Sequence, residues 1–225
     1  MHIRNKVLVV APHPDDETLG CGGTLIKHKE NGDEINWLLM TNVKKSKKYL
    51  QKNVDIKKKE IEKVKKAYGF KNFIQLDFPP SSLCSKKFDI LIDKINKCLN
   101  IIKPNILYLP FKNDIHSDHE ITFKACISLA KSFRNKFIKK IMVYETPSET
   151  DFNIDSEINN FKPNLWIDIT KQINKKIEIL KIYQSEIGEH PFPRSVENII
   201  SYSKIRGSFS GHKNSEAFII LKEVL

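Results

Sequence analysis

The sequence predicts an α/β fold of three layers, a mostly parallel sheet with helices on both faces. Two observations carry that expectation. Strand-like and helix-like stretches alternate from Lys6 to about Glu145 as β-α-β-α-β-α-β-α-β, the order that builds a parallel sheet through helical crossovers. The first of them, "KVLVVAP", is apolar without alternation, as a strand covered on both faces must be.

The elements follow in order. From Glu17 to about Glu30 the pattern is helical, and "ENGDE" closes it with Gly32 as a C-terminal cap. "EINWLLMT" reads as the second strand. After a polar loop, Ile61, Val64 and Tyr68 form one face of a helix that stops near Gly69. "FIQL" is a short third strand, and "FDILIDKINKCLNII" an amphipathic helix ended before Pro104. "NILYLP" is the fourth strand, followed by a loop from Asp114 to His119, a helix through about Phe133 and the strand "KIMVYE".

The remainder is less regular. "NLWIDI" and "EAFIILK" read as strands, "KQINKKIEILKIYQSEI" as a helix and "GEHPFPRS" as a proline-rich loop. With no repeat, linker or composition break, residues 1–225 are expected to form one domain, the C-terminal part completing it at one sheet edge.

Composition narrows the function classes. A hydrophobic share of 40% and a charged share of 29% are ordinary for a soluble globular chain. No apolar run approaches the ~18–20 residues of a membrane-spanning helix. The run from Val7 to Ala11 is too short for a secretory signal and meets Asp15 and Asp16, so a cytoplasmic location is expected. Cys21, Cys84, Cys98 and Cys126 are scattered and expected to be reduced. The net charge of +11 raises a nucleic-acid partner, but only Arg4, Arg134, Arg194 and Arg206 carry the bidentate fork that reads phosphate and guanine. The excess is lysine on solvated helix faces, and no nucleic acid is expected.

Chemistry concentrates at two places. "PHPDDE" sets His13, Asp15, Asp16 and Glu17 at the end of the first predicted strand, and "HSDHE" sets His116, Asp118 and His119 after the fourth. Ligands of open α/β sheets bind outside the carboxyl ends of the strands, so both groups belong to one rim. Imidazole with carboxylate suits zinc or iron, and any two residues of one segment with one of the other make a His2-Asp site. Pro12 and Pro14 stiffen the first loop. Each group also has a structural account: acids favour a helix N-terminus, and Ser117 or Asp118 suits an N-cap. "LGCGG" lacks the G-x-G-x-x-G order of a dinucleotide site and is expected to let the helix pack closely on the first strand.

"APHPDDETLGCGGTL" resembles the (A/P)-H-P-D-D-E signature of the LmbE-like, or PIG-L, family of metal-dependent N-acetylglucosaminyl deacetylases, and "HSDH" resembles its second motif, H-x-D-H. Similarity continues through "YETPS", "FKPNLWIDIT", "KIEILKIYQSE", "HPFPRS" and "SEAF". The resemblance implies a Rossmann-like sheet and a Zn2+ cofactor, with Fe2+ the other candidate, held by His13, Asp16 and His119. It implies Asp15 as general base, His116 as stabiliser of the oxyanion and proton donor to the leaving amine, and Asp118 as the acid that orients His116. Where relatives carry R-x-x-E this chain has "KKKE", with Lys57 and Glu60; Lys57 and Arg194 are the candidate substrate contacts, and Arg194 and Arg206 either serve an anionic group or hold the C-terminal loop.

The implied function is hydrolysis of an N-acetyl group from an N-acetylated amino sugar or its conjugate. The alternatives are a metal-dependent amidohydrolase acting on a non-sugar acyl amine and a non-catalytic Rossmann-like binding protein. Loops around residues 42–54, 77–85 and 146–162 are expected to set specificity, and the resemblance leaves room for a homo-oligomer of no fixed number.

Overall fold

The structure, a computed structural model, describes residues 4–46, 49–154 and 161–225. Five strands, β1 (Lys6–Ala11), β2 (Glu34–Thr41), β3 (Asn72–Phe78), β4 (Ile106–Pro110) and β5 (Lys140–Tyr144), run parallel. β6 (Leu165–Asp168) and β7 (Ser215–Glu223) complete a seven-stranded sheet in the order β3-β2-β1-β4-β5-β7-β6, with β7 antiparallel to both of its neighbours. The C-terminal part therefore extends one edge of the sheet, as the sequence predicts.

Every other residue of β1 faces a different layer. Leu8 and Val10 pack with helices α3 (Phe88–Ile102) and α4 (Ser117–Leu129) on one face. Val7, Val9 and Ala11 pack on the other face with α1 (Asp16–Glu30), α2 (Gln51–Tyr68) and the end of α5 (Ile173–Leu180). All five residues from Val7 to Ala11 are fully buried, which is why the strand shows no alternation. A smaller cluster joins Leu19 and α5 to Ile199 of α6 (Val196–Ser210).

The helix ends obey local chemistry. Asn31 ends α1 and Gly32 follows it at φ +83°, so the amides of Gly32 and Asp33 close back on the carbonyls of Lys29 and His28. Gly69 caps α2 at φ +66°. α4 stops at Leu129, short of the expected Phe133, where the Asn135 amide takes the Leu129 carbonyl at 2.8 Å. α5 is also shorter than its apolar pattern. Beyond Leu180 the chain tightens into turns that send Tyr183 to Glu17 and Ser185 to Glu60. α6 has no counterpart in the expected elements. Its buried positions are Ile199, Ser203 and Gly207, so the helix shows no apolar stripe.

Topology places the site. The chain runs outward from β1 through β2 to β3, then returns to start β4 on the other side of β1. That reversal opens a crevice at the carboxyl ends of β1 and β4. No helix among the described residues is long and apolar enough to cross a membrane.

Candidate metal centre

The two sequence clusters meet at this crevice. His13 and Asp16 lie on the turn from β1 into α1, and His119 lies in the first turn of α4. Asp16 Oδ2 sits 3.5 Å from His13 Nδ1 and 3.4 Å from His119 Nε2, and accepts the His13 backbone N–H at 2.8 Å. One donor atom from each of the three residues falls within 4.8 Å of the other two. His119 Nε2 is buried and has no hydrogen-bond partner.

Each histidine is anchored through its other ring nitrogen by a separate carboxylate. Asp118 Oδ2 lies 3.0 Å from His13 Nε2, and Asp114 Oδ2 lies 2.7 Å from His119 Nδ1. Asp118 is itself fixed by the backbone N–H groups of Ser81 and Leu83 at 2.7 and 3.0 Å, and Asp114 by the Thr150 hydroxyl at 2.6 Å. A carboxylate behind a ligating imidazole fixes the ring and raises its basicity. Asp114 escaped the sequence reading, which took it only as the start of a loop; its signal is the need for an acid behind a ligating histidine.

The three donors are electrostatically coupled. Burial would push the Asp16 carboxyl up, but the charges of His119 and His13 outweigh it and hold it far below the usual range. Burial would lower His13 and His119, yet their carboxylate partners raise both. Imidazole nitrogens with one carboxylate suit zinc or iron, so the residues present fit the group the sequence implies.

Asp15 lines the same cavity but is not one of this trio. It occupies the N-cap of α1 at φ +122°, in a left-handed region that costs a non-glycine residue about 1–3 kcal/mol. Its Oδ2 is buried without a hydrogen bond, 3.7 Å from an Arg194 nitrogen. Burial, then the neighbouring Asp16 charge, raises its carboxyl well above the usual range, against the pull of Arg194 and Lys57.

His116, not Ser117 or Asp118, is the N-cap of α4: its Nδ1 accepts the Asp118 backbone N–H at 3.1 Å. The Asp118 carboxylate, expected to orient His116, hydrogen-bonds to His13 and two loop amides and lies within 4.8 Å of a His116 ring nitrogen. With Nδ1 accepting, neutral His116 carries its proton on Nε2. Burial and the nearby His13 and His119 lower its pKa to about 4.

A cavity of about 150 Å³ opens over these groups, walled by His13, Asp15, Asp16, His116, Glu149 and Arg194. Val43, Tyr49, Pro80, Ser81 and Glu149 come from the three loops expected to set specificity; residues 47–48 and 155–160 of those loops lie outside the described residues. Lys57 also reaches the wall, but its ammonium pairs with Glu186. Arg194 donates through Nε to the Glu186 carbonyl at 2.9 Å and stays at the cavity. Arg206 lies elsewhere, its Nε on Glu145 at 2.8 Å, which favours the bracing role. Glu17, the last acid of the first cluster, is fully buried and accepts from Asp15 N, Thr18 Oγ1 and Tyr183 OH.

Comparison with known proteins places the chain in a family. Residues 8–130 match the family described as "PIG-L: GlcNAc-PI de-N-acetylase". The chain is 30% identical over 135 residues to a probable N-acetyl-alpha-D-glucosaminyl L-malate deacetylase 2 of Bacillus cereus, covering 56% of this chain and 60% of that protein. It is 23% identical over 222 residues to a diacetylchitobiose deacetylase of Thermococcus kodakarensis, covering 94% of this chain and 81% of that protein. Among solved structures, the conserved protein TT1542 from Thermus thermophilus superposes with a TM-score of 0.79 at 23% identity, covering 98% of this chain and 96% of that one; at that identity the likeness speaks for the fold. With the matched region running from β1 through α4 and so enclosing both clusters, the chain belongs to the PIG-L, or LmbE-like, family.

Proposed function

We propose that the chain is a zinc-dependent hydrolase that removes the acetyl group from an N-acetylated amino sugar or sugar conjugate. The observation that carries this reading is the convergence of His13 Nδ1, Asp16 Oδ2 and His119 Nε2 at a cavity that the Asp15 carboxylate also lines, with its Oδ2 buried and making no hydrogen bond. Zinc held by His13, Asp16 and His119 would supply Lewis acidity, making a water easier to deprotonate and polarising the amide carbonyl.

The chain's own groups divide the remaining work. Asp15 Oδ2 takes the proton of the attacking water and later gives it up again. His116, neutral with its proton on Nε2, donates a hydrogen bond to the oxygen that gains charge and keeps its proton, while the proton held by Asp15 passes to the departing amine. Asp118 and Asp114 hold the two ligating imidazoles, so the site is formed before substrate arrives. Arg194 stands beside Asp15, where it steadies the carboxylate and can meet a substrate oxygen. Lys57 is engaged by Glu186 and serves the cavity wall.

The relatives' substrates, an N-acetylglucosaminyl malate and diacetylchitobiose, motivate the sugar. The test is a panel of N-acetyl amino-sugar conjugates and simple N-acetyl amines, assayed for acetate release with zinc and with chelator. Chelator-sensitive release from a sugar conjugate supports the reading. Release from simple acyl amines alone moves the substrate class, and no release from any member of a zinc-loaded protein contradicts it.

A further inference from the structure

α1 is broken just where it leaves the acids. At Cys21 the backbone departs from helical geometry, with φ −141° and ψ 21°. In an unbroken helix the Gly23 and Thr24 amides would donate to the carbonyls of Leu19 and Gly20, four residues back. Here both amides donate instead to Glu216 on β7, Gly23 N to Oε1 at 2.8 Å and Thr24 N to Oε2 at 2.7 Å. The freed Leu19 carbonyl accepts from Lys176 Nζ of α5 at 2.8 Å. Lys176 and Glu216 meet at 2.7 Å, and both are buried.

The ion pair thus replaces the helix's own bonds across the gap. The carboxylate caps the start of the second segment, where a helix favours negative charge. The ammonium closes the end of the first. Gly22 permits this approach, since a Cβ there would lie 3.1 Å from Lys176 Cγ and 2.7 Å from the Tyr68 hydroxyl. The first segment is gripped at its base too, where Tyr183 OH reaches Glu17 at 2.8 Å just beyond α5. None of the proposed chemistry uses Lys176 or Glu216.

We propose that Lys176 and Glu216 are positioning residues: they splint the break in α1 and set the angle of the turn that carries Asp15 and Asp16. What that turn does rests on the function proposed above. The splint itself is a claim about the chain.

The test uses the full chain with two variants, Glu216→Gln and the double Lys176→Met/Glu216→Gln, whose uncharged pair leaves no lone buried charge. Hydrogen exchange of the chelator-treated proteins is read by peptide, and Co2+ affinity by titration. Amides over residues 13–20 are expected to exchange about tenfold faster in both variants, with β1 unchanged. Co2+ affinity is expected to fall about 10- to 100-fold. Wild-type exchange over residues 13–20 in the folded double variant, or wild-type Co2+ affinity, overturns the proposal. Failure of both variants to fold also overturns it, because the pair would then hold the fold rather than the turn. If the wild type takes up no Co2+, the metal-centre reading falls, and the exchange result alone decides the splint.

Discussion

His119 Nδ1 is held by Asp114 Oδ2 at 2.7 Å, while the Nε2 of the same ring is buried, makes no hydrogen bond and faces Asp16 Oδ2 at 3.4 Å. A ring fixed at one nitrogen and left open at the other is in the posture of a metal ligand. Asp114→Asn removes the charge behind the ring and keeps its shape. Zinc affinity is expected to fall about 10- to 100-fold, measured by competition with a chromophoric chelator. Unchanged affinity would show that the pair is only a packing contact.

Asp15 offers the converse separation. Asp15→Asn leaves the three donors of the metal centre in place and removes the base. Zinc content is expected to stay at the wild-type level while kcat drops by about 10²- to 10⁴-fold on a responsive substrate. Near-normal turnover would remove Asp15 from the mechanism.

Much of this was legible in the chain because the signals are local. β2 and α3 have the bounds that periodicity predicts, since each has a long apolar pattern and a clear stop. α6 was illegible because its buried face is built from Ile199, Ser203 and Gly207, with Ser203 satisfied by Ile200 and Asn214 rather than by apolar neighbours. The site residues were visible as two clusters on one rim, but spacing could not divide labour among adjacent acids. The partners of Asp118 depend on contacts between loops far apart in sequence, which no local pattern encodes, whereas Asp114 stands only five residues before His119 and takes from afar the Thr150 hydroxyl.

The glycines of "LGCGG" were expected to ease packing on the first strand. The structure sets Gly20 against β5 instead: a Cβ there would fall 2.2 Å from Tyr144 Cδ2 and 2.9 Å from the Glu145 carbonyl. The carbonyl cannot step aside as a side chain can. Gly20→Ala is therefore expected to lose about 1–3 kcal/mol by overpacking, despite the better helix propensity of alanine. Urea denaturation measures it, and a stabilised variant would refute the close approach.

At the opposite end of the sheet, Asp33 accepts from Asn5 N at 2.9 Å and pairs with His28 Nδ1 at 2.6 Å. Burial opposes ionisation there, but the His28 and Asn5 bonds outweigh it and lower the Asp33 pKa. Its stabilising effect is present above the unfolded carboxyl value and lost as pH falls through the lower folded value. Asp33→Asn is expected to cost about 1–3 kcal/mol at pH 7, a gap that narrows below about pH 4. Denaturation of both proteins across pH 3–7 tests this, and a gap that widens in acid would reverse the sign.

Everything proposed for the site depends on His13, Asp16 and His119 together holding one divalent transition metal. Metal analysis of the zinc-loaded, desalted wild type, Asp15→Asn and His119→Ala decides that point. About one metal per chain is expected in the first two and little in the third, since an open site needs all three protein ligands. A wild type that retains no stoichiometric metal, or a His119→Ala protein that keeps it, would show that these residues are not a metal centre.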